Sequence, residues 1–275
     1  MPVPPPPVPS SVAPVPFPPS AREAAVTALR AAGCVFAEDE AELILATART
    51  EQEVAALVGR RATGLPLEHV LGWAEFHGRR VAVEPGVFVP RRRTEFLVDQ
   101  ALGQVPDASV VVDLCCGSGA VGAALAAALG GPVELHAADI DPVAVRCARR
   151  NVEPLGGRVH EGDLFSALPV ALRGRVGILA ANVPYVPTAE VGLLPPEARE
   201  HEPLVALDGG ADGLDVLRRV AAKAPEWLAP GGCLLVETGE HQAQAALAAF
   251  TGTGLTARLA VSEELYAHVV TGTKP

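Results

Sequence analysis

The sequence is poor in aromatic residues, in methionine and in positive charge. Phe, Trp and Tyr together make up 4% of its 275 residues, and it contains one Met. Its 32 acidic side chains outnumber 22 basic ones, which gives a formal net charge of -10. Proteins that bind nucleic acid along an extended surface usually carry an excess of positive charge. The charge balance therefore argues against direct nucleic-acid binding.

Paired cysteines and long apolar runs are also missing. The five cysteines are an odd number and show no C-x-x-C spacing, which argues against a disulfide framework and a zinc site, so no metal is expected. No stretch reaches the roughly 18 apolar residues of a membrane span. Ten prolines interrupt residues 1–20, so this segment cannot form the apolar core of a signal peptide. These absences predict a cytoplasmic protein with no membrane partner.

The composition changes along the chain and predicts its organisation. Residues 21–64 are rich in Ala, Leu and Glu at helical spacing and predict three or four short helices. Residues 64–89 contain aromatic and β-branched side chains with glycines, which is typical of a β-hairpin. The predicted parts are a disordered Pro-rich tail at 1–20, a helical domain at 21–78, a hairpin connector at 79–92 and a larger domain at 93–275.

The larger domain begins with a strand, a glycine-containing turn and a helix. The apolar run 110–113 ends at Asp113, and the turn after it contains Cys115, Gly117 and Gly119. This order is typical of a doubly wound nucleotide-binding sheet, in which glycines let the backbone approach the ligand. The turn matches neither the G-x-G-x-x-G dinucleotide pattern nor the G-K-[ST] end of a triphosphate loop. A small nucleoside ligand is favoured over NAD or ATP.

An acid follows the second strand of this domain. Asp139 lies 20 residues after Gly119, close to the spacing at which an acid accepts hydrogen bonds from the ribose hydroxyls. Ile140 is then placed against the flat face of a base. Asp141 precedes Pro142, which suits the first position of a helix, so Asp141 is the expected helix cap. That assignment leaves Asp139 available to the ligand.

A third acid follows the next predicted strand. Asp163, with Leu164 after it, is suitably placed to accept the exocyclic amino group of a purine. Further strands are predicted at residues 178–181, 232–237, 255–261 and 265–271. Together with the three earlier strands, they complete a seven-stranded sheet.

The fourth strand ends at a distinctive corner formed by Asn182, Val183, Pro184 and Tyr185. The side-chain oxygen of Asn182 and the carbonyl of Val183 can each accept an N-H from one planar NH2 group, and the ring of Tyr185 can cover that group. Asn and Pro are also ordinary turn residues, so the corner taken alone is more typical of a proline turn.

Asp113, Gly117, Gly119, Asp139, Asp163 and Asn182, in this order, resemble the site of class I S-adenosylmethionine-dependent methyltransferases. A longer set of motifs resembles the HemK/PrmC family, whose members methylate the side-chain amide of a glutamine in translation termination factors. These motifs are Gly64-x-Pro66, Gly72-x-x-Glu75-Phe76-x-Gly78, Pro90-Arg91-x-x-Thr94-Glu95, Asp163-Leu-Phe165, Asn182-x-Pro184-Tyr185 and Glu202-Pro203-x-x-Ala206-Leu207. The likeness extends over roughly residues 21–273.

The resemblance implies an α/β fold with a Rossmann-like seven-stranded sheet and a small helical domain that helps to hold a protein substrate. It implies S-adenosylmethionine as cofactor and a glutamine-bearing protein, such as a release factor, as partner. The implied cofactor-binding residues are Asp113, Cys115, Gly117, Gly119, Asp139, Ile140, Asp163, Leu164 and Asn182. The implied catalytic residues are Asn182, Val183, Pro184 and Tyr185.

Three departures from the family pattern predict local changes. Cys115 stands where the family usually has Gly, and a side chain there requires a negative φ. Val183 stands where the family has Pro, and Arg92 and Arg93 replace a usual Pro-Glu, which changes the charge beside the site. These departures suggest a divergent paralogue whose substrate need not be a release factor.

The sequence is also compatible with other functions. An N6-adenine or small-molecule amino methyltransferase would present the same NH2 group to the same Asn-x-Pro-Tyr corner. A non-enzymatic protein that binds S-adenosylmethionine is a further alternative, because a fold alone does not define an activity.

Overall fold

The structure is a computed structural model, and it describes residues 17–275. The predicted tail lies outside the described residues as far as residue 16, and the first helix already begins at Pro19. The chain divides into two compact units, Met1–Leu71 and Gly72–Pro275. Across residues 17–275, no helix has both the length and the apolar character needed to cross a membrane.

The first unit consists of short helices around a small apolar core. They are α1 (Pro19–Ala31), α2 (Ala37–Thr47), α3 (Glu51–Ala62) and α4 (Leu67–Leu71). Leu29 and Ile44 are fully buried between these helices. A buried ion pair joins α3 to α2, with Arg61 Nε 2.7 Å from Glu40 Oε2. The prediction of three or four short helices is confirmed.

The second unit opens with a β-hairpin of strands β1 (Trp73–Phe76) and β2 (Arg79–Ala82). Its two-residue turn is His77-Gly78, and both residues have positive φ, 48° and 68°. Such turns match the twist of the flanking strands, which explains why the hairpin is this tight. The predicted connector at 79–92 therefore holds only the second strand of the hairpin. The four-part division of the chain stays a prediction.

A seven-stranded sheet forms the body of the second unit, and this prediction is confirmed. Its strands are β3 (Val110–Leu114), β4 (Glu134–Asp139), β5 (Arg158–Glu161), β6 (Val176–Ala181), β7 (Leu228–Thr238), β8 (Thr256–Ser262) and β9 (Ala267–Thr273). Their order is β5-β4-β3-β6-β7-β9-β8, with β9 antiparallel to both neighbours and the other pairs parallel. The remaining helices are α5 (Glu95–Gln104), α6 (Ala120–Ala128), α7 (Pro142–Val152), α8 (Pro196–His201), α9 (Asp215–Trp227) and α10 (Ala243–Thr251).

The central strands are buried on both faces, which explains their almost continuous apolar sequence. All five residues of β3 are buried. On one face, Leu179 packs in a cluster with Trp227, and on the other, Val111 packs in a cluster with Leu125. The faces of the sheet are therefore closed to ligands, and the ends of the strands are left for binding.

The strand register brings the predicted site residues to one edge. Leu114 at the end of β3 pairs with Ala138 on one side and with Ala181 on the other. Neighbouring strands lie about 4.8 Å apart. The turn after β3, the acid that ends β4 and the corner after β6 consequently emerge side by side, at the carboxyl end of a parallel sheet where ligands bind.

Candidate active site

Asp113 is buried beneath the glycine turn, and its contact with the cofactor stays a prediction. It is 1% exposed, and its Oδ2 accepts a hydrogen bond of 2.8 Å from the main-chain N-H of Gly122 in α6. Burial raises the pKa of this carboxyl to about 7, although the bond from Gly122 acts in the opposite direction. Asp113 therefore fixes the first turn of α6 against the end of β3.

Cys115 has a φ of +53°, so the expectation of a negative φ is wrong. The turn itself imposes this conformation: the N-H of Cys116 donates to Ala138 O at 3.1 Å, and the N-H of Gly119 donates to Cys116 O at 2.7 Å. A non-glycine residue at such a φ is strained, and strained residues cluster at functional sites. The thiol is partly buried, and burial raises its pKa.

The two predicted glycines serve different purposes. Gly117 has a φ of +54°, and a Cβ built there comes no nearer than 4.0 Å to Phe88, so this turn position is open. Gly119 has a φ of +76°, and a Cβ there would lie 2.8 Å from Val152 and 3.3 Å from Ala148 of α7. Gly119 thus allows α6 and α7 to pack closely. The approach of a ligand to Gly119, which the sequence suggested, stays a prediction.

Asp139 ties the end of β4 to the glycine turn. Its Oδ2 accepts from Gly117 N at 2.8 Å, and its Oδ1 accepts from Asp141 N at 2.9 Å. Asp141 caps α7 by accepting from Val143 N at 2.7 Å, so that prediction is confirmed. Burial raises the pKa of Asp139. Ile140 beside it is 53% exposed, an unusual position for so apolar a side chain, and is free to contact a flat ligand.

Asp163 makes an ion pair that the sequence did not reveal. Its Oδ2 lies 2.5 Å from Arg219 Nη2 of α9, and both side chains are about half exposed. Leu164, the next residue, is buried and has a φ of +49°. The site therefore holds a second strained non-glycine residue besides Cys115.

Asn182 carries the most informative atom of the site. Its Oδ1 is buried and has no hydrogen-bond partner within residues 17–275. An unsatisfied buried acceptor is costly, and native proteins keep such atoms rarely and for a reason. Val183 is 1% exposed, and Pro184 is also buried. The corner after β6 is consequently well packed, and its amide oxygen is buried without a hydrogen-bond partner within residues 17–275.

Tyr185 is anchored by side-chain contacts that the sequence did not predict. Its hydroxyl donates to Glu237 Oε1 at 3.0 Å and accepts from Arg93 Nη2. Arg93 Nε donates to Glu237 Oε1 at 2.9 Å, and Thr94 Oγ1 donates to Glu237 Oε2 at 2.6 Å. An acid that ends a buried strand at the ligand edge was the available signal for Glu237.

The geometry fits an adenosyl sulfonium cofactor. A glycine turn held by Asp139, the exposed Ile140 and the acid Asp163 lie in register at the ends of neighbouring strands. Asn182, with its unsatisfied oxygen, follows the adjoining strand. The group that receives the methyl can therefore be held next to the same turn. Within the described part of the chain, no group of three His, Cys, Asp or Glu side chains is arranged to hold a metal ion.

Comparisons with known proteins agree with this geometry. Residues 79–185 match the family model of the methyltransferase small domain. The chain is 44% identical to the release factor glutamine methyltransferase of Geobacter sulfurreducens, over 74% of this chain and 72% of that protein. It is 37% identical to the 4-amino-L-phenylalanine/4-methylamino-L-phenylalanine methyltransferase of Streptomyces pristinaespiralis, over 72% of this chain and 69% of that protein. In fold it is similar to the crystal structure of a methyltransferase from Pyrococcus furiosus, with a TM-score of 0.52, 16% identity and coverage of 72% and 89%.

The sheet order, the glycine turn and the family model define a class I methyltransferase that uses S-adenosylmethionine as cofactor. The sequence identity to curated relatives, and the share of the chain that it covers, define the family within this class. The chain belongs to the HemK/PrmC family of release factor glutamine methyltransferases.

Proposed function

We propose that this enzyme transfers a methyl group from S-adenosylmethionine to the side-chain amide nitrogen of a glutamine in a protein, and that this protein is a peptide chain release factor. The buried oxygen of Asn182, which has no partner among the described residues, is the observation that carries the proposal. An incoming primary amide offers the N-H donor that this oxygen lacks. Release factors act in the cytoplasm, where we expect the enzyme to work.

The acceptor nitrogen is held by two oxygens in this proposal. Asn182 Oδ1 accepts one N-H, and the carbonyl of Val183, kept extended by Pro184, accepts the other. The ring of Tyr185 covers the planar amide. An amide nitrogen is a weak nucleophile because its lone pair is delocalised, so fixing its direction toward the methyl carbon contributes much of the catalysis.

The cofactor is held by the neighbouring strand ends. Asp139 is proposed to bind the ribose hydroxyls, Ile140 to pack on the base, and Asp163 to accept the amino group of the adenine. Cys115 and Gly117 line the turn, while Asp113 and Gly119 support it from below. When bound, the cofactor supplies a methyl group activated by its positive sulfur.

The helical unit, α1 to α4, is proposed to help bind the protein substrate, by similarity to the family. The predicted domain at 21–78 covers these helices except for the first two residues of α1, Pro19 and Ser20.

The test is methyl transfer from labelled S-adenosylmethionine to a purified release factor, with mass spectrometry of the labelled peptide. Label is expected on one glutamine amide. A release factor in which that glutamine is replaced by alanine is the matched control and should remain unlabelled. Label that persists on the control, or lies on another residue type, would refute the proposal.

A second acceptor class is favoured by one comparison. The relative from Streptomyces pristinaespiralis is named for an aromatic amine substrate, and an aryl NH2 presents the same two N-H groups as an amide. Parallel assays with 4-amino-L-phenylalanine and with a release factor distinguish the two classes by their kcat/KM values.

A further inference from the structure

Glu237 is an acid that the fold buries at the edge of the acceptor site. It lies near the end of β7, next to the strand that leads into Asn182, and its side chain is 2% exposed. A buried carboxylate is tolerated only when a positive charge and hydrogen-bond donors compensate it. The donors here are Arg93 Nε, Thr94 Oγ1 and the Tyr185 hydroxyl.

Arg93 supplies the positive charge in this group. Within residues 17–275, it is the one cation in ion-pair contact with Glu237. Its Nη2 also donates to the hydroxyl of Tyr185, and its guanidinium carbon lies 5.8 Å from the centre of the Tyr185 ring. One guanidinium therefore bridges the buried acid and the aromatic residue of the Asn-x-Pro-Tyr corner.

Tyr185 is consequently fixed at both ends. Its main-chain oxygen accepts from Gln242 Nε2 at 2.8 Å, while its hydroxyl is held by Glu237 and Arg93. Burial raises the pKa of the Tyr185 hydroxyl, and the charge of Glu237 adds to this effect, so the hydroxyl remains a donor to Glu237. The position of the ring then depends on whether Glu237 keeps its neutralising partner.

We propose that Arg93 is a positioning residue of the acceptor site: it acts through Tyr185, and its positive charge is required because Glu237 is buried. This inference rests on the proposed function, since it assumes that Tyr185 covers the acceptor amide. The neighbouring Arg92 provides a natural control, because it is exposed in the same turn and forms no ion pair within residues 17–275.

The experiment measures acceptor kinetics, cofactor affinity and unfolding for the full-length protein. Arg93→Met is expected to lower kcat/KM for the acceptor by about 10- to 100-fold, the size of coupling between residues of one network. The dissociation constant for S-adenosylmethionine should change by less than about threefold, because Arg93 contacts none of the residues at the strand ends that are proposed to hold the cofactor. Arg92→Met should leave both quantities unchanged.

A second variant, Glu237→Gln, tests whether the buried charge of Glu237 is the reason that Arg93 is required. Glu237→Gln removes the buried charge but keeps an oxygen for the Tyr185 hydroxyl. In that background, the further loss caused by Arg93→Met should shrink to less than about threefold. If Arg93→Met alone does not fold, two other variants are measured in its place. One is the double variant with Arg93→Met and Glu237→Gln. The other is Arg93→Lys, which keeps the charge but cannot bridge two oxygens in the same way.

The outcomes separate this inference from the proposed function. If the wild-type enzyme labels no glutamine, the proposed function fails. If the wild-type enzyme is active and Arg93→Met matches Arg92→Met in acceptor kcat/KM, only the positioning role is refuted. A loss of equal size with and without Glu237→Gln would also overturn it, as would a change confined to the unfolding free energy.

Discussion

The two halves of the site are built in opposite ways. In the cofactor half, the carboxyl groups of Asp113 and Asp139 accept main-chain N-H groups of the glycine turn, of α6 and of Asp141. In the acceptor half, the Oδ1 of Asn182 is buried without a partner in the described chain, beside a Tyr185 held by side chains. Main-chain bonds hold the first half in place, whereas the second half contains an oxygen without a hydrogen-bond partner, which the proposed function assigns to the substrate amide.

Removing the unpartnered side-chain oxygen of Asn182 should produce the largest loss of activity. Asn182→Ala is expected to lower kcat about 100- to 1000-fold, the typical cost of losing one oriented hydrogen bond in a transition state. The dissociation constant for S-adenosylmethionine should rise less than about tenfold, since the cofactor half is held by other residues. A labelled-methyl assay and calorimetry measure the two quantities. Normal turnover in this variant would contradict the proposed role of Asn182.

Breaking the cofactor half should weaken cofactor binding instead. Asp139→Ala is expected to raise the dissociation constant for S-adenosylmethionine by about 10- to 100-fold, or roughly 1.4–2.8 kcal/mol. Asp141→Ala is the matched control: it removes the cap of α7 and should lower the free energy of unfolding by about 1 kcal/mol with little effect on the cofactor. Equal affinities of the Asp139→Ala and Asp141→Ala variants for S-adenosylmethionine would contradict the proposed role of Asp139 in cofactor binding.

The buried Asp113 should make stability depend on pH. Its pKa is about 7 in the folded protein against 3.8 for an ordinary Asp. Between these values the folded state binds more protons than the unfolded state. The free energy of unfolding should therefore fall as pH rises, by up to about 1.4 kcal/mol per pH unit, and level off above the folded pKa.

Asp113→Asn isolates this contribution, because the amide oxygen can still accept from Gly122. The difference in unfolding free energy between variant and wild type should shift in favour of the variant as pH rises from 4 to about 7. Denaturant unfolding at several pH values measures it. Parallel curves for the two proteins would show that Asp113 does not titrate in this range.

The smallest effect is expected at the strained turn. Cys115 holds a left-handed conformation that costs an L-residue roughly 1–2 kcal/mol and costs glycine nothing. Cys115→Gly should therefore unfold with a free energy about 1 kcal/mol higher than Cys115→Ala, which keeps the Cβ. Thermal unfolding of the pair measures the strain without the thiol. A more stable alanine variant would contradict the conformational argument.

Local sequence patterns predicted much of the fold because they report on neighbouring residues. Apolar runs predicted the strands, and the Asp141-Pro142 pair predicted the start of α7. The acids and the Asn that follow strands predicted the edge at which the site lies. The aromatic and β-branched residues at 64–89 predicted the hairpin, whereas the position of its turn was not predicted, because His77-Gly78 relies on a positive φ at a non-glycine residue.

The sequence by itself determined the order of strands and helices, the family and the identity of the residues at the strand ends, since each depends on short-range pattern. Only the tertiary structure decided the sign of φ at Cys115, the close packing at Gly119 and the pairing of Arg93 with Glu237. Arg93 and Glu237 are separated by 144 residues in the chain. Their contact follows from the order in which the strands pair, and that order is the outcome of packing the whole core.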